Sequence, residues 1–239
     1  QGYSSAASDV YKRQVLRQII QVKVIGKEAA IEKVQLATDE NEEADYLAKT
    51  VFDSIPAKDK QTQGIELKVL SKIFEENKLA QKMYNVQMGK LKIDYAANTL
   101  SAAKVELIYQ AANAKNKETV KNTMSRILSE VTSSQNSFYT VAKNKTQADA
   151  IEYVIGNQDS RTNLAKAVVS LKKNQTSALI EEKDGFYIAH CIQTNSAALQ
   201  QQYRNQLVSE KQTESFQKTY KIWSDKFDVK VSKALLAAN

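Results

Sequence analysis

Through the first third of the chain, apolar residues recur at spacings of three and four, the period of a helix with one buried face. Val15, Leu16, Ile19, Ile20, Val22, Val24 and Ile25, continuing through Ala29, Ala30 and Ile31, predict a strongly apolar helix. The acidic stretch Thr38-Asp39-Glu40-Asn41-Glu42-Glu43 offers a capping residue and carboxylates suited to the positive end of a helix dipole. Ala44, Leu47, Ala48, Val51 and Phe52 continue at helical spacing as far as Ile55-Pro56, where proline disfavours helical geometry in the residue before it. Gly64 is expected to open a further helix through Ile65, Leu67, Val69, Leu70, Ile73, Phe74, Leu79, Ala80, Met83 and Tyr84. Each stripe is too wide for an isolated helix, so these helices must pack on one another or on a later part of the chain.

The texture changes near Lys104. Lys104–Tyr109 has the composition and length of a strand. A polar loop, Ala111–Lys117, leads to a helix through Val120, Met124, Ile127, Leu128 and Val131, and Phe138, Val141 and Ala142 suggest a second, shorter one. Ala150–Gly156 reads as strand and turn, Leu164–Leu171 as a short helix. Gly185–Ile192, after the turn Lys183-Asp184-Gly185, is the clearest strand. From Ala197 helix returns, with Leu199, Tyr203, Leu207, Phe216, Tyr220 and Trp223 on one long face; Phe227, Val229 and Val231 then alternate as an extended terminal segment.

The expected fold class is therefore α+β, a mainly helical body carrying an inserted small α/β domain. Residues 15–103 form the first part of the body, 104–195 the inserted domain, and 196–239 a C-terminal helix that completes the body. Residues 1–14 stand outside this scheme. Asp9–Gln14 reads DVYKRQ, whose back-translation GATGTGTATAAGAGACAG matches the end of a transposon adaptor used in sequencing libraries, so this stretch is expected to be foreign to the fold.

Composition supports a helical reading. The chain of 239 residues has 6 Gly and 1 Pro, too little punctuation for the many tight turns of a sandwich or barrel. Its net charge of +7 is spread among acids, and no Lys/Arg tract interleaves with aromatics, so a nucleic-acid face is not expected. A single cysteine, Cys191, excludes an intrachain disulfide. Its neighbour His190 is the one histidine, and adjacent strand residues point to opposite faces, so the pair is expected to pack and not to chelate or catalyse. No phosphate-binding glycine loop, His-Glu-x-x-His or Gly-x-Ser-x-Gly occurs, and neither cofactor nor metal is expected. No apolar run reaches the 18 residues of a membrane-span candidate.

The middle segment resembles a known family. Leu171-Lys172-Lys173-Asn174-Gln175-Thr176-Ser177-Ala178-Leu179-Ile180, followed by Asp184-Gly185-Phe186-Tyr187-Ile188, is similar to the ending of parvulin-type prolyl isomerases, whose last strand reads glycine-tyrosine-histidine-isoleucine. Lys104–Tyr109 resembles their opening strand, and the likeness covers residues 104–195. The flanks, Leu16–Ala30 in front and Leu199–Trp223 behind, resemble the helical chaperone portion of SurA-like and PrsA-like foldases.

The resemblance implies an extracytoplasmic foldase that binds unfolded or extended polypeptide. Its pocket positions fall on Leu107, Leu164 and Tyr187. The family has histidine where Leu107 and Tyr187 stand, phenylalanine where Leu164 stands, and paired glycines of which only Gly156 remains. Leucine deletes the polar partner, and tyrosine keeps a hydroxyl without imidazole's donor–acceptor pair. Catalysis of a rotation with a barrier of about 18–20 kcal/mol is therefore not expected to be strong. Plain core packing is the competing reading of the same three residues. The resemblance also implies a place at the outer face of the cytoplasmic membrane, with the signal sequence lost from this fragment and a lipid anchor ahead of it as the means of attachment. Two other functions stay open: a working prolyl isomerase with a rearranged pocket, and a non-enzymatic lipoprotein scaffold with one defined partner.

Overall fold

A computed structural model of the chain describes residues 2–96, 99–133, 137–228 and 230, with side chains from Val10 onward. It divides into two compact units, one drawn from Gln1–Lys92 with Lys211–Asn239 and the other from Ile93–Glu210. The architecture is α+β.

The first unit is built on helices α1 (Gly2–Ile31), α2 (Thr38–Ser54), α3 (Ala57–Gln63) and α4 (Leu67–Gly89). The second half of α8 (Ala197–Ser224) joins them. Val24, Ile25 and Ala29 of α1, Met83 of α4 and Trp223 of α8 form its core, flanked by Phe216 and Tyr220. Ala44 and Ala48 are the buried residues of α2, and small side chains there let it lie close against α4. Ion pairs Glu40–Lys82 and Glu43–Lys78 bridge the same two helices. A second kind of closure links distant parts of the chain: Lys226 Nζ donates to Glu28 Oε1 at 2.7 Å, and the Glu28 side chain is only 4% exposed.

Three local expectations need correction. Helix α1 begins at Gly2, well before Val15. The cap of α2 is Ala37, outside the acidic stretch; Glu40 reaches back so that its Oε2 accepts from the Ala37 N–H at 2.7 Å, satisfying a donor the helix leaves open. Gly64 does not open a helix but closes one. It is the left-handed cap of α3 at φ 62°, a conformation that costs a residue with a Cβ and not glycine, and α4 starts three residues later. Pro56 acts as expected, leaving Ile55 extended after α2.

The second unit is an antiparallel sheet in the order β2-β1-β4-β3. Its strands are β1 (Ala102–Ala111), β2 (Glu152–Gly156), β3 (Ile180–Glu182) and β4 (Gly185–Gln193). Alternation along the two central strands makes two layers. On one face Val105, Leu107, Ala189 and Cys191 pack with Leu164 and Val168 of α7 (Thr162–Ser170). On the other, Ile108, Phe186 and Ile188 pack with Met124 and Ile127 of α5 (Lys117–Ser133) and with Phe138 and Val141 of α6 (Phe138–Lys145).

Helix α8 serves two cores. Leu199, Tyr203 and Leu207 lie with Leu100 and Ala102 in the second unit, whereas Phe216, Tyr220 and Trp223 lie in the first. The division accordingly falls inside the helix, between Glu210 and Lys211, and not ahead of it at 195/196. Val229 and Val231, read as part of an extended segment, lie outside the described residues.

Candidate functional site

Strand pairing brings the expected pocket residues to one face. β1 and β4 run antiparallel with Leu107 opposite Ala189 and Tyr109 opposite Tyr187, so Leu107 and Tyr187 are diagonal neighbours on the same side of the sheet. Helix α7 lies across that side and adds Leu164. The three residues meet in one cluster, at 1%, 0% and 3% exposure for Leu107, Leu164 and Tyr187. All three are buried.

The Tyr187 ring is held from three directions. It stacks on Tyr109 with centroids 4.6 Å apart, and the Arg161 guanidinium stands over it at 5.6 Å from the centroid. Its hydroxyl donates to Asp184 Oδ2 at 2.6 Å. The Tyr109 hydroxyl donates to the backbone oxygen of the same aspartate at 3.1 Å. Burial, then the bond to Asp184, pushes the Tyr187 phenol above its ordinary range, and it remains a neutral donor near pH 7. Burial, with Asp184's charge next, also raises Tyr109.

Arg161 is fixed in turn by Asp159. Nε meets Oδ1 at 2.9 Å and Nη2 meets Oδ2 at 2.7 Å, a two-pronged pair that also raises the guanidinium's already high pKa. The arrangement thus holds two phenol donors, both already engaged, and one guanidinium, already paired. It offers no imidazole.

His190 lies three residues beyond Tyr187 on β4 and therefore on the other face of the sheet. It stacks on Phe138 at 5.3 Å, and its Nδ1 shares a hydrogen bond with Thr176 Oγ1 at 2.9 Å. Burial lowers its pKa, leaving the ring neutral at pH 7. Cys191 returns to the Tyr187 face but is fully buried, and burial raises its thiol. The two adjacent residues cannot act on one ligand. Among the described residues no group of three or more His, Cys, Asp or Glu is placed to hold a metal ion.

A cavity of about 550 Å3 opens beside the β3–β4 hairpin, lined among others by Asn113, Lys117, Asn163, Glu181 and Phe186, and by none of the three pocket residues. Two of its carboxylates are already engaged. Lys117 pairs with Glu181 at 2.6 Å, and Glu182 caps α7 by accepting the amide N–H groups of Asn163 at 2.7 Å and Leu164 at 2.9 Å.

Sequence reasoning missed Tyr109, Arg161 and Asp184 as parts of the site. Tyr109 was accessible to it, since it lies two residues beyond Leu107 and so on the same strand face. Asp184 was visible only as a turn residue. Nothing in the sequence pointed to Arg161.

Residues 99–193 match the rotamase family, described as the PPIC-type PPIase domain. No curated protein matches the chain. Similar solved structures include a PpiC-type peptidyl-prolyl cis-trans isomerase domain, 21% identical, covering 42% of this chain and 98% of that one at a TM-score of 0.38. The peptidylprolyl isomerase PrsA of Bacillus anthracis is 15% identical, covering 92% of this chain and all of its own, at a TM-score of 0.47. The foldase protein PrsA of Streptococcus pneumoniae is 14% identical, covering 98% and 91%, at a TM-score of 0.38. The likeness to the rotamase family, as a PPIC-type PPIase domain, thus spans residues 99–193, the segment that carries all four strands of the sheet.

Proposed function

We propose that this chain is a peptide-binding chaperone or foldase that assists secreted or cell-envelope proteins outside the cytoplasm, and that its rotamase-family lobe lacks strong isomerase activity. One observation carries the second half of the reading. The two strand positions that hold histidine in parvulins are Leu107 and Tyr187, both buried, and Tyr187's hydroxyl is bound to Asp184. A prolyl amide in that position would meet no imidazole, and the chain's one histidine is committed to Thr176 on the opposite face. The polypeptide-binding half is supported by the first unit, where Tyr46 is 70% exposed, Val69 52% and Ile73 45%. Large apolar side chains standing in water suit a partner that brings apolar surface of its own.

The test uses the whole chain in two assays. Aggregation of a chemically denatured client should be suppressed at near-stoichiometric chaperone. Isomerisation of a prolyl peptide should stay at its uncatalysed rate of tens to hundreds of seconds. Saturable acceleration that Tyr187→Phe abolishes would sink the non-catalytic reading. Capture of one defined protein, with no effect on aggregation, would replace the chaperone by a scaffold.

A further inference from the structure

The first unit carries a groove that the reading above does not use. Helices α1 and α4 and the second half of α8 leave between them a trough of about 240 Å3. Its floor is apolar: Val22 of α1, Ala80 of α4, and the edge-to-face rings of Tyr84 and Phe216 with centroids 4.8 Å apart. Three exposed carboxamides, Gln21, Asn77 and Gln81, form the rim. Among the described residues no charged side chain lines it, although 26% of the chain is charged and α4 itself carries Lys72, Glu75, Glu76, Lys78 and Lys82.

That lining selects its occupant. A carboxamide both donates and accepts, so it can pair with a peptide N–H or C=O whatever the residue. An aromatic floor attracts apolar side chains, and a charged one would be desolvated there without a counter-charge. The volume of 240 Å3 equals roughly eight waters at about 30 Å3 each, room for one or two side chains and too little for a folded domain.

We infer that this groove is a client-binding site for an uncharged, extended polypeptide segment. One leucine- or phenylalanine-sized side chain sits against Tyr84 and Phe216 while the carboxamides hold the backbone. The inference rests on the polypeptide-binding reading and gives it an address.

Trp223, the chain's one tryptophan, reports on the site, because its ring meets Phe216 edge-on at 6.0 Å. The probe is a short unstructured Ser/Asn peptide with a central Leu-Phe pair, titrated into the full chain by tryptophan emission and by calorimetry. Saturable binding is expected. It should weaken by about tenfold or more, the equivalent of roughly 1.4 kcal/mol, when Glu-Lys replaces Leu-Phe in the peptide. The same loss is expected for Ala80→Arg, which fills the trough, and for Gln21→Glu/Gln81→Glu, which changes exposed rim atoms and gives up only the Gln81 bond to Asn85 at 3.2 Å, with circular dichroism to check that the fold is kept. No binding by either method, or binding within about twofold of wild type in both variants, overturns the assignment. If wild type and variants suppress client aggregation equally, the groove is wrong while the chaperone reading stands. If wild type suppresses nothing, the reading itself has failed.

Discussion

Gly156→Ala tests how the second unit is closed. A Cβ at Gly156 would lie 2.3 Å from Cε1 and 2.7 Å from Cδ1 of Tyr203, and 2.6 Å from the carbonyl oxygen of Ser101. None of these neighbours is free to move. Tyr203 is 1% exposed, its hydroxyl accepts from the Gln158 N–H at 3.1 Å, and the Ser101 oxygen accepts from the Asn157 N–H at 2.9 Å. Relief requires α8 to back away from β2, which opens the cluster of Leu100, Ala102, Tyr203 and Leu207. Overpacking of this kind costs about 1–3 kcal/mol, and losing the tyrosine hydrogen bond adds about 1 kcal/mol. A total near 3 kcal/mol corresponds to a fall in Tm of about 6–12 °C for a chain of this size. Thermal unfolding followed by circular dichroism measures it. In a Tyr203→Ala background the cost should fall to what the Ser101 oxygen alone imposes, because the clashing ring is gone. A Tm within about 2 °C of wild type, or an undiminished cost without the ring, would refute the argument.

Leu164→Ala removes a side chain at 0% exposure from the core shared with Leu107 and Tyr187, and should lower stability by about 2–5 kcal/mol, read as a drop in the urea midpoint at constant slope. Tyr187→Phe should leave isomerisation unchanged but alter the alkaline limb of stability. The folded phenol is raised above its unfolded value near 10, so its contribution is complete below about pH 10 and is lost as pH rises through the folded value; the variant should show a shallower decline there in denaturant titrations at stepped pH. Lys226→Ala strips the partner from Glu28, whose Oε2 is already buried without one, and should cost about 1–3 kcal/mol, the low side of a buried-pair break because Lys226 is half exposed. In a Glu28→Gln background the same substitution should cost much less, and an equal loss would show that the ion pair is not the cause.

Sequence determined what depends on neighbours along the chain. The spacings from Val15 to Ile31 and from Leu67 to Tyr84 require helices with a buried face, and Val24, Ile25 and Met83 do supply the first unit's core. Alternation in the last strand separated Tyr187 from His190 before any partner was known, because a two-residue period is a property of extended backbone alone. Poverty in glycine and proline pointed to a mainly helical α+β chain.

Tertiary structure decided the rest. The three-residue β3 has no period of its own and exists because Ile180–Glu182 pairs with Gly185–Tyr187. The single apolar face of α8 gave no sign that Tyr203 and Trp223 belong to different cores. What Tyr187 does was equally hidden: Arg161 and Tyr109 stand 26 and 78 residues away from it in sequence, and only strand register and the placement of α7 bring them to the ring. Periodicity follows from local backbone geometry, whereas side chains that meet across such separations are chosen by which packing buries the most apolar surface without stranding a polar group.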